Sequence, residues 1–376
     1  MIRHALFILS MKVLHIIPSL TTGGAQKLLG DLLPIINSCP DIEIELVVFN
    51  LSESNIEKKL IESGIAVKSL GLTSRSPLAI FKLRKYFRQS DIVHLHLFPV
   101  HYYAYIANIG IKKPLIFTEH STGNKRRNHK FLRPIEKIIY GNLDRIICIS
   151  EATKKALANW LHQNESDFRF KVINNGIDIE KYRNASILST KSLFGREGKA
   201  ILMISRFTES KDHASVVKAL THIPDTDIFI VFAGEGPTME NIKELANELN
   251  VIDRIVFLGN RNDIPELIKA SALGVQSSLW EGFGLTAVEM MAGGLPVLAS
   301  DVEGLRDIVN GAGIVFERSN EILLSEKIKY VMNNKTVYEN MINAGEKRCS
   351  KFNITFTASE YIDLYQSIFG KLGSVR

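Results

Sequence analysis

The chain has 376 residues, of which 45% are hydrophobic and 23% charged, and it carries a formal net charge of +6. This length favours two domains over one, and the composition is that of a globular protein with no apolar run of the roughly 18 residues a membrane span needs. The positive charge suits nucleotide phosphates or an anionic membrane surface and is too small to indicate nucleic acid.

The cysteine pattern favours a reducing, cytoplasmic compartment. Cys39, Cys148 and Cys349 are odd in number and scattered, without the spacing of a zinc site. A disulfide framework is therefore not expected.

Residues 1–10 contain a weak version of a signal-peptide pattern. The apolar core covers only residues 5–9 before Ser10 and Lys12 interrupt it, and no small-residue cleavage site follows. We interpret this segment as a short extension, with the first domain beginning near Met11.

The first half of the chain alternates short apolar runs with amphipathic stretches. Continuous apolar strands separated by helices are typical of a parallel sheet covered on both faces, so this half is predicted to be a doubly wound α/β domain. Strands are predicted at residues 13–18, 43–49, 67–70, 92–96, 115–119, 145–149 and 170–173, with helices at 25–36, 77–89 and 151–161.

The second half repeats this pattern after an interruption. Residues 174–178 break the alternation, and the polar, irregular stretch up to Lys199 is interpreted as a connection. Further strands are predicted at residues 200–205, 228–233, 255–258, 273–276, 296–299 and 313–316, followed by helices. We expect two Rossmann-like doubly wound domains with ligands in a cleft at the carboxyl ends of their strands.

The segment from Gln276 to Val297 has the most informative pattern. A strand end, a glycine-containing loop and the start of a helix follow one another, and Gly282 and Gly284 let the backbone approach a ligand. The free N–H groups of a helix start bind anions such as a diphosphate. Glu281 and Glu289 can accept hydrogen bonds from a ligand, although spacing alone equally fits a solvated helix after a glycine turn.

Glu281-Gly-Phe-Gly-Leu-Thr-Ala-Val-Glu289 resembles the E-x7-E hallmark of the retaining, GT-B fold glycosyltransferases of family 4, also called glycosyltransferase group 1. The resemblance continues to Val297, with Met290 in place of the usual alanine. It implies that Glu289 binds the ribose of a nucleotide-sugar donor and that Glu281 contacts the donor sugar. It also implies that the sugar and phosphates meet the backbone of Phe283, Gly284 and Leu285.

A second motif supplies positive charge. The stretch from Ser205 to Asp212 resembles the family's G-R-L-x-x-x-K-G, and the resemblance implies that Arg206 and Lys211 neutralise the diphosphate. A guanidinium and an ammonium stabilise the negative charge that builds up on a leaving diphosphate. The departures from the motif are Ser205, Phe207 and Asp212.

Four further residues match the family. The resemblance implies that Gly234, in Gly-Glu-Gly-Pro, shapes the base pocket, and that His120, after a predicted strand, lies near the reacting sugar. Gly23 and Gly24 follow the first predicted strand and open a helix, so their amides can face phosphates. A histidine at a strand end can donate to a sugar hydroxyl or to a phosphate oxygen.

Two patterns imitate metal sites. His94 and His96 lie on one side of a predicted strand, and we interpret them as hydrogen-bonded histidines rather than a metal pair. Asp225-Thr-Asp227 has the D-x-D spacing of metal-dependent glycosyltransferases but precedes a strand, as in a turn. No metal ion or cofactor is therefore expected.

The resemblance implies a metal-independent, retaining transfer of a hexose-type sugar from a UDP- or GDP-sugar to a glycan or polyprenyl-linked acceptor, in cell-surface polysaccharide synthesis. Acceptor binding is expected in residues 1–180 and nucleotide-sugar binding in 181–352, with a helix at 353–376 packing back on the first domain. Two alternatives stay open: a nucleotide-sugar epimerase of the same fold and a non-catalytic binding subunit.

The basic stretch at residues 124–137 has two interpretations. It is either a solvated loop and helix face or a contact with anionic lipid at the inner face of the plasma membrane.

Overall fold

The computed structural model describes residues 10–21, 23–123 and 125–373. Residues 1–9 lie outside the described residues. They include nearly all of the expected extension and the apolar core of the signal-peptide pattern. The chain divides into two compact units. The first contains the chain up to Gly176 together with the segment from Ile354 onwards, and the second runs from Ile177 to Asn353.

Each unit is built on one parallel sheet. The first sheet has seven strands in the order β3-β2-β1-β4-β5-β6-β7, and the second has six in the order β10-β9-β8-β11-β12-β13. The strands are β1 (Met11–Ile17), β2 (Ile42–Val48), β3 (Ala66–Ser69), β4 (Ile92–His96), β5 (Leu115–Glu119), β6 (Arg145–Cys148), β7 (Phe170–Val172), β8 (Lys199–Ile204), β9 (Ile228–Ala233), β10 (Ile255–Phe257), β11 (Leu273–Gln276), β12 (Val297–Ser300) and β13 (Ile314–Phe316).

Helices connect the strands. They are α1 (Gly24–Asn37), α2 (Asn55–Glu62), α3 (Ala79–Gln89), α4 (Val100–Asn108), α5 (Arg133–Gly141), α6 (Glu151–Leu161), α7 (Ile179–Arg183), α8 (Thr190–Phe194), α9 (His213–Thr221), α10 (Met239–Glu248), α11 (Ile264–Ala270), α12 (Leu285–Ala292), α13 (Glu303–Val309), α14 (Glu321–Asn333), α15 (Lys335–Cys349) and α16 (Ile354–Gly373). None of the described helices combines the length and apolar character that a membrane crossing requires.

Alternating side chains of the first sheet fill two cores. On one face Val13, Ile92 and Ile116 pack with α1 and α16, and on the other Leu14 and Val93 pack with helices α3 to α6. Both faces of each strand are therefore apolar, which explains the continuous hydrophobic runs in the sequence. Helix α16 packs directly against α1, so the end of the described chain completes the first unit.

The expected fold class is confirmed, because both sheets are parallel, Rossmann-like and flanked by helices. Each predicted strand is present, with bounds that differ by at most two residues. The prediction was wrong for the connection before Lys199, which contains the short helices α7 and α8. Their polar sequences lack a long apolar stripe, but Asp178 and Ser189 cap them through their side chains.

Candidate functional site

The candidate donor site lies at the carboxyl edge of the second sheet. Strands β8 and β11 are neighbours there, although two strands separate them along the chain. The strand order reverses direction at this pair, which is where open α/β sheets bind ligands. The loop after β8 carries Arg206 and Lys211, and the loop after β11 carries Glu281.

Lys211 and Glu281 form an ion pair across these two loops. The Lys211 ammonium donates to Glu281 Oε2, and both groups lie near the Ser278 hydroxyl, at 3.5 Å from Nζ and 3.4 Å from Oε2. The second carboxylate oxygen accepts from the backbone N–H of Gly282 at 3.1 Å. The predicted sugar contact and the predicted phosphate contact therefore lie side by side.

Backbone contacts hold the two loops together. The Ser277 hydroxyl lies 2.8 Å from the Lys211 carbonyl oxygen and 3.0 Å from that of Asp212. The Leu279 N–H donates to the Ser210 carbonyl at 2.8 Å. These bonds fix the main chain beneath the Lys211 side chain, so a hydrogen-bonded backbone positions its ammonium.

Helix α12 begins as the sequence predicts, directly after Gly284. This glycine has a φ of +90°, a left-handed conformation that side chains with a Cβ rarely adopt. Among the described residues no side chain caps the helix start, which leaves its first N–H groups for a ligand. Phe283 is buried edge-on against Phe352 with ring centroids 5.5 Å apart, so only its backbone belongs to the site.

Glu289 lies on the second turn of α12 and is only 3% exposed. A carboxylate that is so nearly buried makes stronger hydrogen bonds to hydroxyl groups than an exposed one does, because less water competes. The structure thus keeps Glu289 and Glu281 in different surroundings, one inside the helix and one in the loop.

Arg206 is exposed at the end of β8, and two glycines shape the loop that carries it. A Cβ on Gly234 would lie 2.1 Å from the Ser205 carbonyl oxygen, and one on Gly236 would lie 2.2 Å from that of Phe207. Only glycine permits this approach. Gly234 therefore supports the loop of Arg206 through its backbone.

The structure gives the three departures from the family's cationic motif two local roles. Asp212 occupies the left-handed region, with φ +48°, where the motif has glycine, and its side chain caps α9. Ser205 and Phe207 both contact His213, which the sequence did not single out: Ser205 Oγ lies 3.0 Å from Nε2, and the Phe207 ring stacks at 4.0 Å. Burial, with a contribution from Lys211, lowers the pKa of His213 to about 3.

Sequence reasoning also missed Gly304, on helix α13. A Cβ there would lie 2.3 Å from the carbonyl oxygen of Glu281 and 3.2 Å from the carbonyl carbon of Gly282. No local pattern marks this glycine, because its neighbour is a loop more than twenty residues earlier in the chain. It sets how close α13 comes to the loop of Glu281.

The remaining predicted site residues belong to the first unit. Gly23 and Gly24 stand at the start of α1, the first helix after β1, and no described side chain caps that helix start. His120 follows β5 and is half-buried. Strands β1 and β4 are neighbours where the order of the first sheet reverses, so both features lie at the carboxyl edge that binds ligands in this fold.

The paired histidines of β4 form part of a larger cluster. His94 and His96 are joined by His15 of β1, and one ring nitrogen from each lies within 4.8 Å of the others. Strand register explains the grouping, because His15 is paired with His94 across β1 and β4. Burial lowers the pKa of His15 to about 3, of His120 to about 4, and those of His94 and His96 well below their usual range.

The structure changes the interpretation of the basic stretch at residues 124–137. Arg126 forms an ion pair with buried Glu136 at 2.6 Å, and Arg127 pairs with buried Glu119 at 3.0 Å. These two arginines therefore belong to the interior and not to a solvated face. Glu136 also accepts from the hydroxyl of Tyr102 at 2.7 Å, so reversing either arginine's charge would leave a buried carboxylate without its counter-ion.

The Asp-x-Asp pattern lies in a turn. The Asp227 N–H donates to the Asp225 carboxylate at 3.0 Å, and the turn leads into β9. It therefore lies at the amino edge of the second sheet, opposite the edge that carries Lys211 and Glu281.

Comparisons with known proteins agree with this geometry. The family model "Glycosyl transferases group 1" matches residues 186–348, and "Glycosyltransferase Family 4" matches residues 42–181. An Escherichia coli α-1,3-galactosyltransferase, named for UDP-Gal and a GlcNAc-diphosphoundecaprenol acceptor, is 27% identical over 77% of this chain and 79% of its own. A Campylobacter jejuni α-1,4-N-acetylgalactosaminyltransferase, named for an undecaprenol-PP-linked acceptor, is 23% identical over 95% and 99%.

A solved structure has the same fold. Anabaena HepE in complex with UDP and glucose superposes with a TM-score of 0.84 at 20% identity, over 95% of this chain and 100% of that one. The two family models together span most of the chain, and the two parallel sheets agree with them. This chain therefore belongs to the GT-B glycosyltransferases of group 1, of the family 4 type.

Proposed function

We propose that this glycosyltransferase moves a hexose-type sugar from a UDP- or GDP-sugar to a lipid-linked glycan acceptor in cell-surface polysaccharide synthesis, with retention of configuration and without a metal ion. The observation that carries the proposal is the contact between Lys211 and Glu281 beside the start of α12. It brings a cation, a carboxylate and the first N–H groups of a helix together at the carboxyl edge of the second sheet. A diphosphate with an attached sugar needs these three kinds of group.

The donor diphosphate would be held by Arg206, by Lys211 and by the first N–H groups of α12. The Lys211 ammonium has three N–H donors, so it can contact a phosphate oxygen while it remains bonded to Glu281. Glu281 would accept from a sugar hydroxyl and Glu289 from the ribose. Neither carboxylate acts as a nucleophile in this proposal.

Transfer breaks the bond between the anomeric carbon and the diphosphate oxygen as the acceptor oxygen bonds to that carbon. The transition state has oxocarbenium character. The negative charge that grows on the diphosphate is stabilised by the two cations and the helix start, groups that stand where other glycosyltransferases use a divalent ion. The acceptor hydroxyl passes its proton to the departing phosphate oxygen, on the same face of the sugar, which gives retention.

The lipid-linked acceptor is supported by the E. coli and C. jejuni relatives, whose names specify undecaprenol-linked substrates. The first unit also exposes a suitable surface. Phe131, Ile135 and Ile138 are 73%, 50% and 57% exposed. Ile135 and Ile138 are three residues apart on α5 and share one of its faces, and Phe131 lies in the short 3-10 turn Lys130–Leu132 that leads into α5. We call these three residues the α5 stripe; exposed Lys130 and Lys137 flank it.

The α5 stripe suits an anionic membrane at the cytoplasmic face. Apolar side chains that enter the lipid boundary gain hydrophobic free energy, and each nearby lysine adds about 1 kcal/mol of attraction to anionic lipid. This assignment keeps the predicted membrane contact within residues 124–137 but transfers it from Arg126 and Arg127 to Lys130, Lys137 and the stripe.

A donor panel tests the reaction. Purified protein is incubated with UDP- and GDP-sugars and an undecaprenyl-diphosphate-linked acceptor, with and without EDTA, and the product anomer is assigned by NMR. We expect transfer from one nucleotide class, unchanged by EDTA, with the donor's anomeric configuration kept. Donor binding without turnover would favour the binding subunit, an epimerised donor would favour the epimerase, and loss of activity in EDTA would contradict metal independence.

A vesicle assay tests the membrane contact. Co-sedimentation with phosphatidylglycerol-containing vesicles should fall about tenfold or more when the α5 stripe is changed to serine, because several buried apolar groups are lost. Reversing Lys130 and Lys137 to glutamate should have a similar effect at low salt. Phe356→Ser, at a phenylalanine of α16 that is 61% exposed, and Lys58→Glu serve as matched controls. Equal binding by the stripe variant and the controls would refute the contact.

A further inference from the structure

A continuous row of hydrogen-bonded side chains leads from His120 into the first unit. His120 Nε2 lies 3.3 Å from Nδ1 of His96, and Nε2 of His96 lies 3.0 Å from Nδ1 of His15. The three rings come from β1, from β4 and from the residue that follows β5, so three neighbouring strands build this part of the row.

The row continues through helix α16. Nε2 of His15 lies 3.2 Å from the hydroxyl of Tyr365, which lies 2.6 Å from Nδ1 of His94. Nε2 of His94 then lies 2.7 Å from the hydroxyl of Thr118. Both ring nitrogens of each of the three buried histidines are thus engaged in hydrogen bonds.

Because all these groups are uncharged, the row has a direction. A neutral imidazole carries one N–H and one bare nitrogen, so it donates on one side and accepts on the other. Tyr365 has a single hydroxyl proton and can donate to only one of its two histidine neighbours. Once that choice is made, the tautomer of every ring in the row follows, including that of His120.

The distances indicate which way Tyr365 donates. Hydroxyl donors make shorter hydrogen bonds than ring N–H donors, and the Tyr365 bond to His94 is 0.6 Å shorter than its bond to His15 (2.6 against 3.2 Å). Tyr365 therefore donates to His94 and accepts from His15 Nε2–H. It follows that His96 donates to His15 through its Nε2–H, and that His120 donates to His96 through its own Nε2–H.

We infer that this row holds His120 in the tautomer whose Nδ1 is bare, so that His120 accepts a hydrogen bond from a sugar hydroxyl instead of donating one to a phosphate oxygen. The inference rests on the proposed function and on the position near the reacting sugar that the family resemblance implies for His120. His96, His15 and Tyr365 then act as positioning residues. A phosphate oxygen, which carries no proton in the donor, has nothing to donate to a bare nitrogen.

Nitrogen NMR of the full-length protein, labelled at histidine, measures the tautomer directly. At pH 7.5, with no ligand, we expect one protonated and one bare nitrogen for His120, the bare one being Nδ1. A His120 ring protonated at Nδ1 would overturn the inference. A metal ion bound to the purified protein in a 1:1 molar ratio would also overturn the inference, because a metal held by the histidine cluster would take the nitrogen lone pairs that the hydrogen bonds of the row require.

Tyr365→Phe removes only the hydroxyl that joins the two halves of the row. We expect the His120 signals to shift toward a mixture of tautomers and kcat/KM to fall about fivefold to tenfold, as for the loss of one oriented hydrogen bond. Tyr361→Phe is the matched control, since Tyr361 is also buried, one turn earlier on α16, and its hydroxyl lies 3.3 Å from that of Thr118, at the end of the row away from His120. Both variants keep the aromatic ring, so the ring contact of Tyr361 with His94 is retained.

Equal effects of the two tyrosine variants on the His120 signals would refute the positioning role of Tyr365. The nitrogen spectrum of the unaltered protein decides the tautomer even when a variant loses stability. It also separates this inference from the proposed function: a protein that transfers no sugar but holds bare Nδ1 at His120 refutes only the proposed function.

Discussion

The two units carry chemically different side chains at the carboxyl ends of their central strands. In the first unit, the strands that flank the reversal of strand order carry histidines and hydroxyl groups without charge. In the second unit, the corresponding strands lead to the ion pair of Lys211 and Glu281 and to exposed Arg206. The same sheet architecture thus supports a neutral hydrogen-bonded row in one unit and charged loops in the other.

Burial explains why the two differ. The side chains of Lys211 and Glu281 stay about one-fifth exposed, at 22% and 19%, whereas His15 and His94 are almost fully buried. Charges lose hydration on burial and are kept at the edge, while neutral imidazoles can enter the core when both nitrogens are bonded.

The largest expected effect breaks the charged side of this comparison. Lys211→Ala should lower kcat by about 10²–10³, because the leaving diphosphate loses a positioned cation. Steady-state transfer kinetics measure it. Lys218→Ala, at an exposed lysine on α9 in the same unit, is the control and should keep full activity. A Lys211→Ala enzyme within threefold of the unaltered protein would contradict the assignment.

The second prediction concerns the stability of the first unit at acidic pH, which depends on its neutral histidines. His15 and His120 have pKa values lowered to about 3 and 4 by burial, and those of His94 and His96 are also lowered. The unfolded chain, with histidine pKa near 6.5, therefore binds more protons than the folded one below that pH. The contribution of the neutral, buried histidines to the free energy of unfolding is complete above pH 6.5 and is lost as the pH falls through that value toward 4.

Each of these imidazoles costs on the order of 1 kcal/mol of unfolding free energy per pH unit in this window. The first unit holds these four and also buried His101, whose pKa is lowered by burial as well, whereas among the described residues of the second unit His213 has a lowered pKa. Hydrogen exchange at pH 7 and pH 5, followed separately in peptides of the two units, should show the greater loss of protection in the first. Equal losses in both units would refute the expected contrast.

Glu289→Gln tests a charged group of the second unit, with a smaller expected effect. An amide keeps the size of the carboxylate but accepts weaker hydrogen bonds from ribose hydroxyls, so donor affinity should fall about tenfold. Calorimetric titration with the nucleoside diphosphate measures the change. Glu248→Gln, at the exposed end of α10, is the control, and affinity in Glu289→Gln equal to that of the control would disprove the ribose contact.

The smallest expected effect concerns Asp212. Asp212→Gly should change the unfolding free energy by only a few tenths of a kcal/mol, since glycine suits the left-handed backbone there and substitutes for a helix cap at little cost. Asp212→Ala should destabilise by about 1–2 kcal/mol, because it loses the cap and keeps the strained backbone. Urea unfolding compares them, and equal stability of the two variants would show that neither the cap nor the backbone conformation matters.

Much of the fold was predictable because its signals are local. Strand β9 is an apolar run followed by glycines and a proline, and its bounds match the prediction, as do those of β4, β5 and β11. The start of α12 was predictable for the same reason, since Gly284 precedes it and two glycines follow it. The roles of Glu281, Glu289 and Lys211 toward a donor stay predictions that rest on the resemblance.

What could not be predicted depends on contacts that only the tertiary fold creates. Arg126 and Arg127 look like surface charges in the sequence, and only the fold brings Glu136 and Glu119 beneath them. The hydrogen-bonded row requires Tyr365, which is 271 residues from His94 along the chain. Strand register and helix packing create these contacts, and neither leaves a periodic pattern in the sequence.

The return of α16 to the first unit has a consequence for biosynthesis. A ribosome finishes the whole second unit before it makes residues 354–373, although these residues pack against α1 near the other end of the chain. The first unit is thus started first and completed last. Until Tyr365 emerges, His15 and His94 lack the hydroxyl that they share, so the hydrogen-bonded row can be completed only after the whole second unit has been synthesised.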